Sequence, residues 1–226
     1  MIEPGAPMAL GGGRVAASGV GPKAALLDRA MAAGLPVPPG VVVPDEQLGP
    51  GTAPPPLPAA LRRGRVAVRS AFSAEDGPTG AQAGRFLSLL DVPGDDPARL
   101  ATALARVRAS GDDHGTPPGR RDILVMRMVR AERAGVAFTQ RDFEDDLVEH
   151  VAGTADALVA GRARGERARL PKLRRLERAP AGWYGRLAML LRGVRETVGR
   201  ADWDVEWADD GVRCWLIQLR PITAAP

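Results

Sequence analysis

The sequence predicts an α+β fold in two lobes. Three observations lead there. Short apolar strands are interleaved with amphipathic helices, 226 residues suffice for one large domain or two small lobes, and a strong hairpin signal lies near residue 210. The expected lobes span residues 1–111 and 112–226. With 45% hydrophobic and 26% charged residues, the chain has enough apolar side chains for a core and does not read as disordered.

Residues 1–21 are Gly- and Ala-rich and predict little regular structure. Pro22 opens a helix over 23–33, with Leu26, Leu27, Ala30 and Met31 on one side and Gly34 just past its end. Residues 35–40 form a rigid turn into a strand at 41–43. Six prolines among residues 44–64 suggest a linker. A strand at 65–69 runs into a hydroxyl- and Gly-rich loop over 70–80, followed by a strand at 86–92. Asp96-Pro97 starts a helix carrying Leu100, Leu104 and Val107 and ending at Gly111. Residues 123–129 and 135–139 read as a hairpin or meander, and 147–151 as a further strand. Trp183, Leu187, Leu190, Leu191, Val194 and Val198 mark an amphipathic helix. Strands at 203–208 and 212–219 flank Asp209-Asp210-Gly211.

The composition narrows the function classes. No apolar run approaches the roughly 20 residues of a membrane span, and the N-terminus lacks a secretory pattern. A single cysteine, Cys214, excludes an internal disulfide and a Cys-rich zinc site. The expected location is cytoplasmic. Net charge is +4, but 29 of the 31 basic residues are Arg and only Lys23 and Lys172 are Lys, so the basic tone reflects a general Arg bias. Residues 162–200 carry twelve Arg or Lys against three Glu, and the basic run at 162–178 has no interleaved aromatics. Nucleic acid is therefore not the expected partner.

Candidate chemistry concentrates in three segments. On the strand at 203–208 side chains alternate, so Asp204 and Glu206 share one face, opposite Trp203, Val205 and Trp207. Two adjacent carboxylates suit a wet face or a cation such as Mg²⁺, which takes one or two carboxylates plus phosphate oxygens. The returning strand carries Gln218 and Arg220 on one face, an oxygen ligand and an anion clamp. A connecting loop of odd length aligns them with the acids and an even one needs a bulge. The competing reading is an exposed acidic strand edge. Lys23 sits at a helix start, where free amides and the helix dipole favour phosphate. Arg69 ends a strand before Ser70, Ser73, Thr79 and several glycines, a loop suited to an oligophosphate, unless Arg69 pairs with Glu75 or Asp76.

These segments resemble, in order, the N-terminal nucleotide-binding domain of the phosphoenolpyruvate synthase and pyruvate phosphate dikinase family. The resemblance is carried by residues 21–27 with 34–40, by Val68-Arg69-Ser70 with Ala74-Glu75-Asp76 and Ala83-Gly84, by Met128-Val129 with residues 135–139, and by residues 204–207 with 216–222. It implies an ATP-grasp-like fold, with two lobes of antiparallel sheets and flanking helices around a nucleotide cleft. It implies that Lys23, Arg69 and Arg220 act on the ATP phosphates with Ser70 in the phosphate loop. Glu149 falls where the family places a carboxylate near the adenine amino group, and Glu206 and Gln218 hold Mg²⁺ with Asp204 in support. The cofactors implied are ATP and Mg²⁺.

The chain departs from the family at several positions. Pro22 replaces a glycine, Met126 a glutamine, Gln140-Arg141-Asp142 a turn, and Gly153-Thr154-Ala155-Asp156 a Gly-Leu-Gly-Glu stretch, and the domain is shorter around 44–64 and 162–182. Family members phosphorylate a histidine on a separate mobile domain. His114 and His150, the two histidines here, match no such site. The expectation is an ATP-dependent phosphotransferase subunit whose phosphohistidine and acceptor sites belong to a partner subunit. The alternative is a degenerate, non-catalytic module used in protein–protein interaction or regulation.

Overall fold

The computed structural model describes residues 6–49, 52–74, 86–112, 119–140, 144–159, 161, 164–172, 181–199 and 201–222. Its contacts separate into two units, Met1–Asp28 with Pro39–Met128 and Arg29–Pro38 with Val129–Pro226. Each unit is built on one five-stranded antiparallel sheet.

The first unit contains β1 (Met8–Ala9), α1 (Arg14–Ala17), the first turns of α2 (Pro22–Ala32), β2 (Gly40–Val43), α3 (Ala59–Arg62), β3 (Arg65–Ser70), β4 (Ser88–Pro93), α4 (Pro97–Ala109) and β5 (Ile123–Arg127). Its strand order is β1-β2-β5-β3-β4. Helix α4 begins as expected: the Asp96 side chain accepts a hydrogen bond from the Arg99 amide at 3.0 Å, and Pro97 stands at the first helical position. Val41, Val43, Val66, Val68, Ile123 and Val125 face α4 in the core, and Leu57 and Leu61 close it. The stretch expected to be a linker thus supplies two core side chains, one on α3, each gaining about 1.5–3 kcal/mol from burial.

The expected hairpin of residues 123–129 with 135–139 does not form. Strand β5 pairs with β2 and β3 in the first sheet, while β6 (Arg133–Thr139) belongs to the second. The reason lies in burial: Ile123, Leu124, Val125 and Met126 are all buried, so β5 presents apolar side chains on both faces and takes a central position. The boundary between the units consequently falls after residue 128 instead of at 111, and residues 29–38 join the second unit.

The second unit holds β6, β7 (Asp145–Ala152), α5 (Asp156–Val159), β8 (Glu166–Pro171), α6 (Gly182–Thr197), β9 (Trp203–Asp209) and β10 (Cys214–Pro221), with strand order β10-β9-β6-β7-β8. Strand β8 was not expected in the basic run. It alternates exposed Arg167 and Arg169 with Ala168 and buried Leu170. Helix α6 lays Leu187, Leu190, Leu191 and Val194 against one face of the sheet. Two buried acids of the sheet anchor it: Arg186 donates two hydrogen bonds of 2.7 Å to Asp209, and Arg195 donates one of 2.7 Å to Asp146. Gly135 is obligatory in β6, because a Cβ there would lie 2.1 Å from the Glu149 carbonyl oxygen. No helix among the described residues is long and apolar enough to cross a membrane.

Candidate functional site

The β9–β10 hairpin begins in simple antiparallel register, with Cys214 opposite Asp209 and Leu216 opposite Trp207. Continued unchanged, that register would set Gln218 against Val205 and Arg220 against Trp203, on the face occupied by α6. A β-bulge intervenes between Leu216 and Gln218. Ile217 is the extra residue, and one residue of slip exchanges the two faces of a strand. Beyond it Gln218 stands opposite Glu206 and Arg220 opposite Asp204. The four polar side chains therefore share one face.

The neighbouring ladders extend this face. One row across the sheet reads Gln218, Glu206, Val136, Glu149, Arg167, and the next reads Arg220, Asp204, Phe138, Leu147, Arg169. Glu149 is two strands from Glu206, a separation of about 10 Å. Phe138 and Leu147 between them are 37% and 39% exposed, forming an apolar strip bounded by polar groups.

The electrostatics are uneven. Arg220 donates to Asp204 Oδ2 at 2.5 Å, while Asp204 Oδ1 is buried with no hydrogen-bond partner. Burial raises the Asp204 carboxyl above the ordinary carboxylate range, Arg220 works against that shift, and Glu206 adds to it. Glu206 and Gln218 are themselves nearly buried. An orphaned carboxylate oxygen beside a second carboxylate and an amide is a donor set that fits Mg²⁺, the phosphates of a nucleotide completing the shell. No group of three or more His, Cys, Asp or Glu placed to hold a metal ion is found among the described residues.

Glu149 is already engaged. Its Oε1 accepts the Gly165 amide at 2.9 Å, and Arg167 approaches Oε2 at 3.4 Å. The carboxylate thus holds the start of β8 against β7, a role the sequence did not suggest.

In the first unit, Lys23 and Ser70 come together. Lys23 Nζ donates to the Ser70 carbonyl oxygen at 3.1 Å and lies 3.4 Å from its hydroxyl. Gly21 makes this approach possible: its amide bonds to the Ala71 carbonyl at 3.2 Å, and a Cβ would fall 2.3 Å from the Phe72 carbonyl oxygen. Arg69, next to Ser70 at the end of β3, is buried. Glu75, Asp76, Thr79, the glycines at 77, 80 and 84, and His114 lie outside the described residues.

Comparison with solved structures places this architecture. The chain superposes on PH1788 from Pyrococcus horikoshii with a TM-score of 0.50 at 12% identity, covering 88% of this chain and 89% of that one. The fold is α+β and ATP-grasp-like. An ATP-grasp RimK domain protein from Sphaerobacter thermophilus superposes with a TM-score of 0.45 at 17% identity, over 88% of this chain and 58% of that one. In sequence, the prodigiosin synthesizing transferase PigC of Serratia marcescens is 31% identical over 200 residues, 70% of this chain. This chain spans 22% of the length of that relative. No family model matches.

Several buried polar residues escaped the sequence reading. Asp28 accepts hydrogen bonds from the amides of Gly11 (2.7 Å), Gly13 (3.3 Å) and Ala16 (2.9 Å), filling with its own carboxylate the nest that the glycine-rich segment forms. Asp122, also buried, accepts from the Asp45 amide and from Arg120. His150 lies on the opposite side of the second sheet from Glu149, against Trp183. A buried acid within an apolar helix pattern, as at Asp28, was the available signal.

Proposed function

We propose that this chain is an ATP·Mg²⁺-binding module of a phosphoenolpyruvate synthase-like phosphotransferase, and that it donates a phosphoryl group to a histidine on a separate partner domain or subunit. The observation that carries this reading is the Ile217 bulge, which gathers Asp204, Glu206, Gln218 and Arg220 on one face. Glu206, Gln218 and the unpaired Oδ1 of Asp204 would hold Mg²⁺, and the ion would neutralise phosphate charge as the phosphoryl group departs. Arg220 orients Asp204 and offers its remaining N–H groups to a phosphate. In the first unit, Lys23 and Ser70, which meet, and Arg69 beside them are cationic and hydroxyl groups of the kind that hold phosphate. Such a site works by positioning and charge stabilisation, so no covalent nucleophile is required of the chain. The name of the Serratia relative, a transferase, agrees with group-transfer chemistry.

Calorimetric titration with Mg·ATP tests the reading. Binding in the micromolar to millimolar range is expected. Glu206→Gln should weaken it at least tenfold, and Arg69→Ala should abolish it, with melting temperatures little changed for the first variant. Absence of binding by the unaltered chain at millimolar nucleotide would refute the proposal. A second reading, a non-catalytic module used in protein contact or regulation, is favoured by Glu149, whose carboxylate serves Gly165 and Arg167 and is not left available for a base. Nucleotide binding without transfer of labelled phosphate to a co-encoded histidine-bearing partner would favour that reading.

A further inference from the structure

We propose that the recess between Pro54-Pro55-Pro56, α3 and the β4–α4 turn binds a flat aromatic ring bearing a carboxylate. The recess measures about 520 Å³, within the roughly 300–1,000 Å³ of small-ligand sites. It lies in the first unit, at the Arg65 end of β3. The Ser70 end, beside Lys23, is about 17 Å away along the strand, so the recess is independent of the nucleotide reading.

Its walls follow from the sequence. Ala53, Pro54, Pro55 and Leu57 each precede a proline, which favours extended backbone, and Pro58 has φ −53° and ψ 149°. Leu57 is buried in the core with Leu100 and fixes this proline segment in place. Across the recess, Gly94 lets the β4–α4 turn press against α3: its amide donates to the Gly64 carbonyl at 2.9 Å, and a Cβ would fall 2.1 Å from the Leu61 carbonyl oxygen. Pro97, at the start of α4, joins Pro54, Pro55 and Pro56 in the lining. Pyrrolidine rings have no rotamer freedom to lose, so they offer rigid faces to a flat ring at little entropic cost.

The balance of charge selects the anion. Arg62 and Arg63 both line the recess, are exposed, and form no ion pair among the described residues. Asp95 is the one acid in the lining, so two guanidiniums against one carboxylate leave a surplus of one positive charge. The other acids of this end of the unit are matched, Asp91 by Arg65 at 2.7 Å and Asp96 by Arg99 at 3.4 Å. Asp96 also caps α4, so the helix end is already served and the arginines carry the selection. Rigid apolar walls beside unpaired guanidiniums are matched by a ring with a single negative group.

Calorimetric titration of the full chain with 2-naphthoate, and in parallel with the neutral 2-naphthalenemethanol, tests this. Naphthoate should bind at least fivefold more tightly than the alcohol. The double variant Arg62→Gln with Arg63→Gln should weaken naphthoate about tenfold and leave the alcohol unchanged, whereas Asp95→Asn should strengthen naphthoate alone. Ala59→Trp, an exposed position in the lining, should obstruct the recess and weaken both. All these variants should keep the melting temperature of the parent to within a few degrees and any Mg·ATP affinity it has. No naphthoate binding at millimolar concentration, equal affinity for the two probes, or a naphthoate affinity indifferent to both the double variant and Ala59→Trp would overturn the proposal.

Discussion

His150 packs edge-on against Trp183 at 4.6 Å, and Trp183 stacks on Trp207 at 5.6 Å. Arg133 lies 5.2 Å over Trp183 and 3.3 Å from His150 Nδ1. Burial, and then the Arg133 charge, hold the imidazole below its ordinary value, with Glu166 pulling the other way. Between that lowered value and the unfolded value near 6.5, the unfolded chain binds the extra proton. The stability associated with neutral His150 is therefore complete above about pH 6.5 and declines as pH falls through the window below it. Thermal melts at pH 7.5, 6.5 and 5.5 should show this decline, and His150→Phe should flatten it. An equally steep decline in the variant would exclude His150 as its source. The histidine thus has a structural task in the second unit.

The hairpin shows how one element decides a site. Strand alternation is a property of adjacent residues, so Asp204 and Glu206 were legible as face-mates from the sequence. Their cross-strand partners were not, because pairing depends on whether the returning strand carries an extra residue. Ile217 is that residue. Its deletion should join Leu216 directly to Gln218 and leave Gln218 opposite Glu206 in an unbulged ladder. Deletion of Leu219 should instead throw Arg220 onto the α6 face, where a guanidinium would be buried among Trp203 and Val205. Far-UV circular dichroism melts should find the first deletion folded, within about 8 °C of the parent, and the second unfolded or lowered by much more. The opposite ranking would contradict the register described for β9 and β10. Strand β5 makes a related point: its type was legible, but not its sheet. Its two buried faces require neighbours on both sides, and β2 and β3 lie far from it in sequence.

At the scale of the molecule, the excess of Arg becomes structure. Within the basic run of residues 162–200, Arg186 and Arg195 neutralise Asp209 and Asp146, and Arg192 pairs with Glu196. Elsewhere Arg65, Arg108, Arg120 and Arg121 pair with Asp91, Asp45, Asp122 and Asp112. The count of 31 basic residues thus overstates the cation available to a polyanion. If the proposed nucleotide site operates, ligand binding to the folded chain alone should stabilise it. Mg·ATP at a hundredfold excess over its dissociation constant should add about 2.7 kcal/mol, seen as a higher melting temperature. Chelation of the metal should reverse most of this gain. Stabilisation by ATP that persists undiminished in excess chelator would argue against a metal-dependent site.

From the order of its residues alone, this chain determined its fold class, most of its strands and helices, and the identity of the acids on β9. Each depends on periodicity, punctuation by Pro and Gly, or the alternation of neighbours, all local. Tertiary structure decided which sheet received β5, which partners met across β9 and β10, and that Glu149 closes on Gly165. Those outcomes depend on pairing between segments distant in the chain, where a single bulged residue or a second buried face outweighs any local preference.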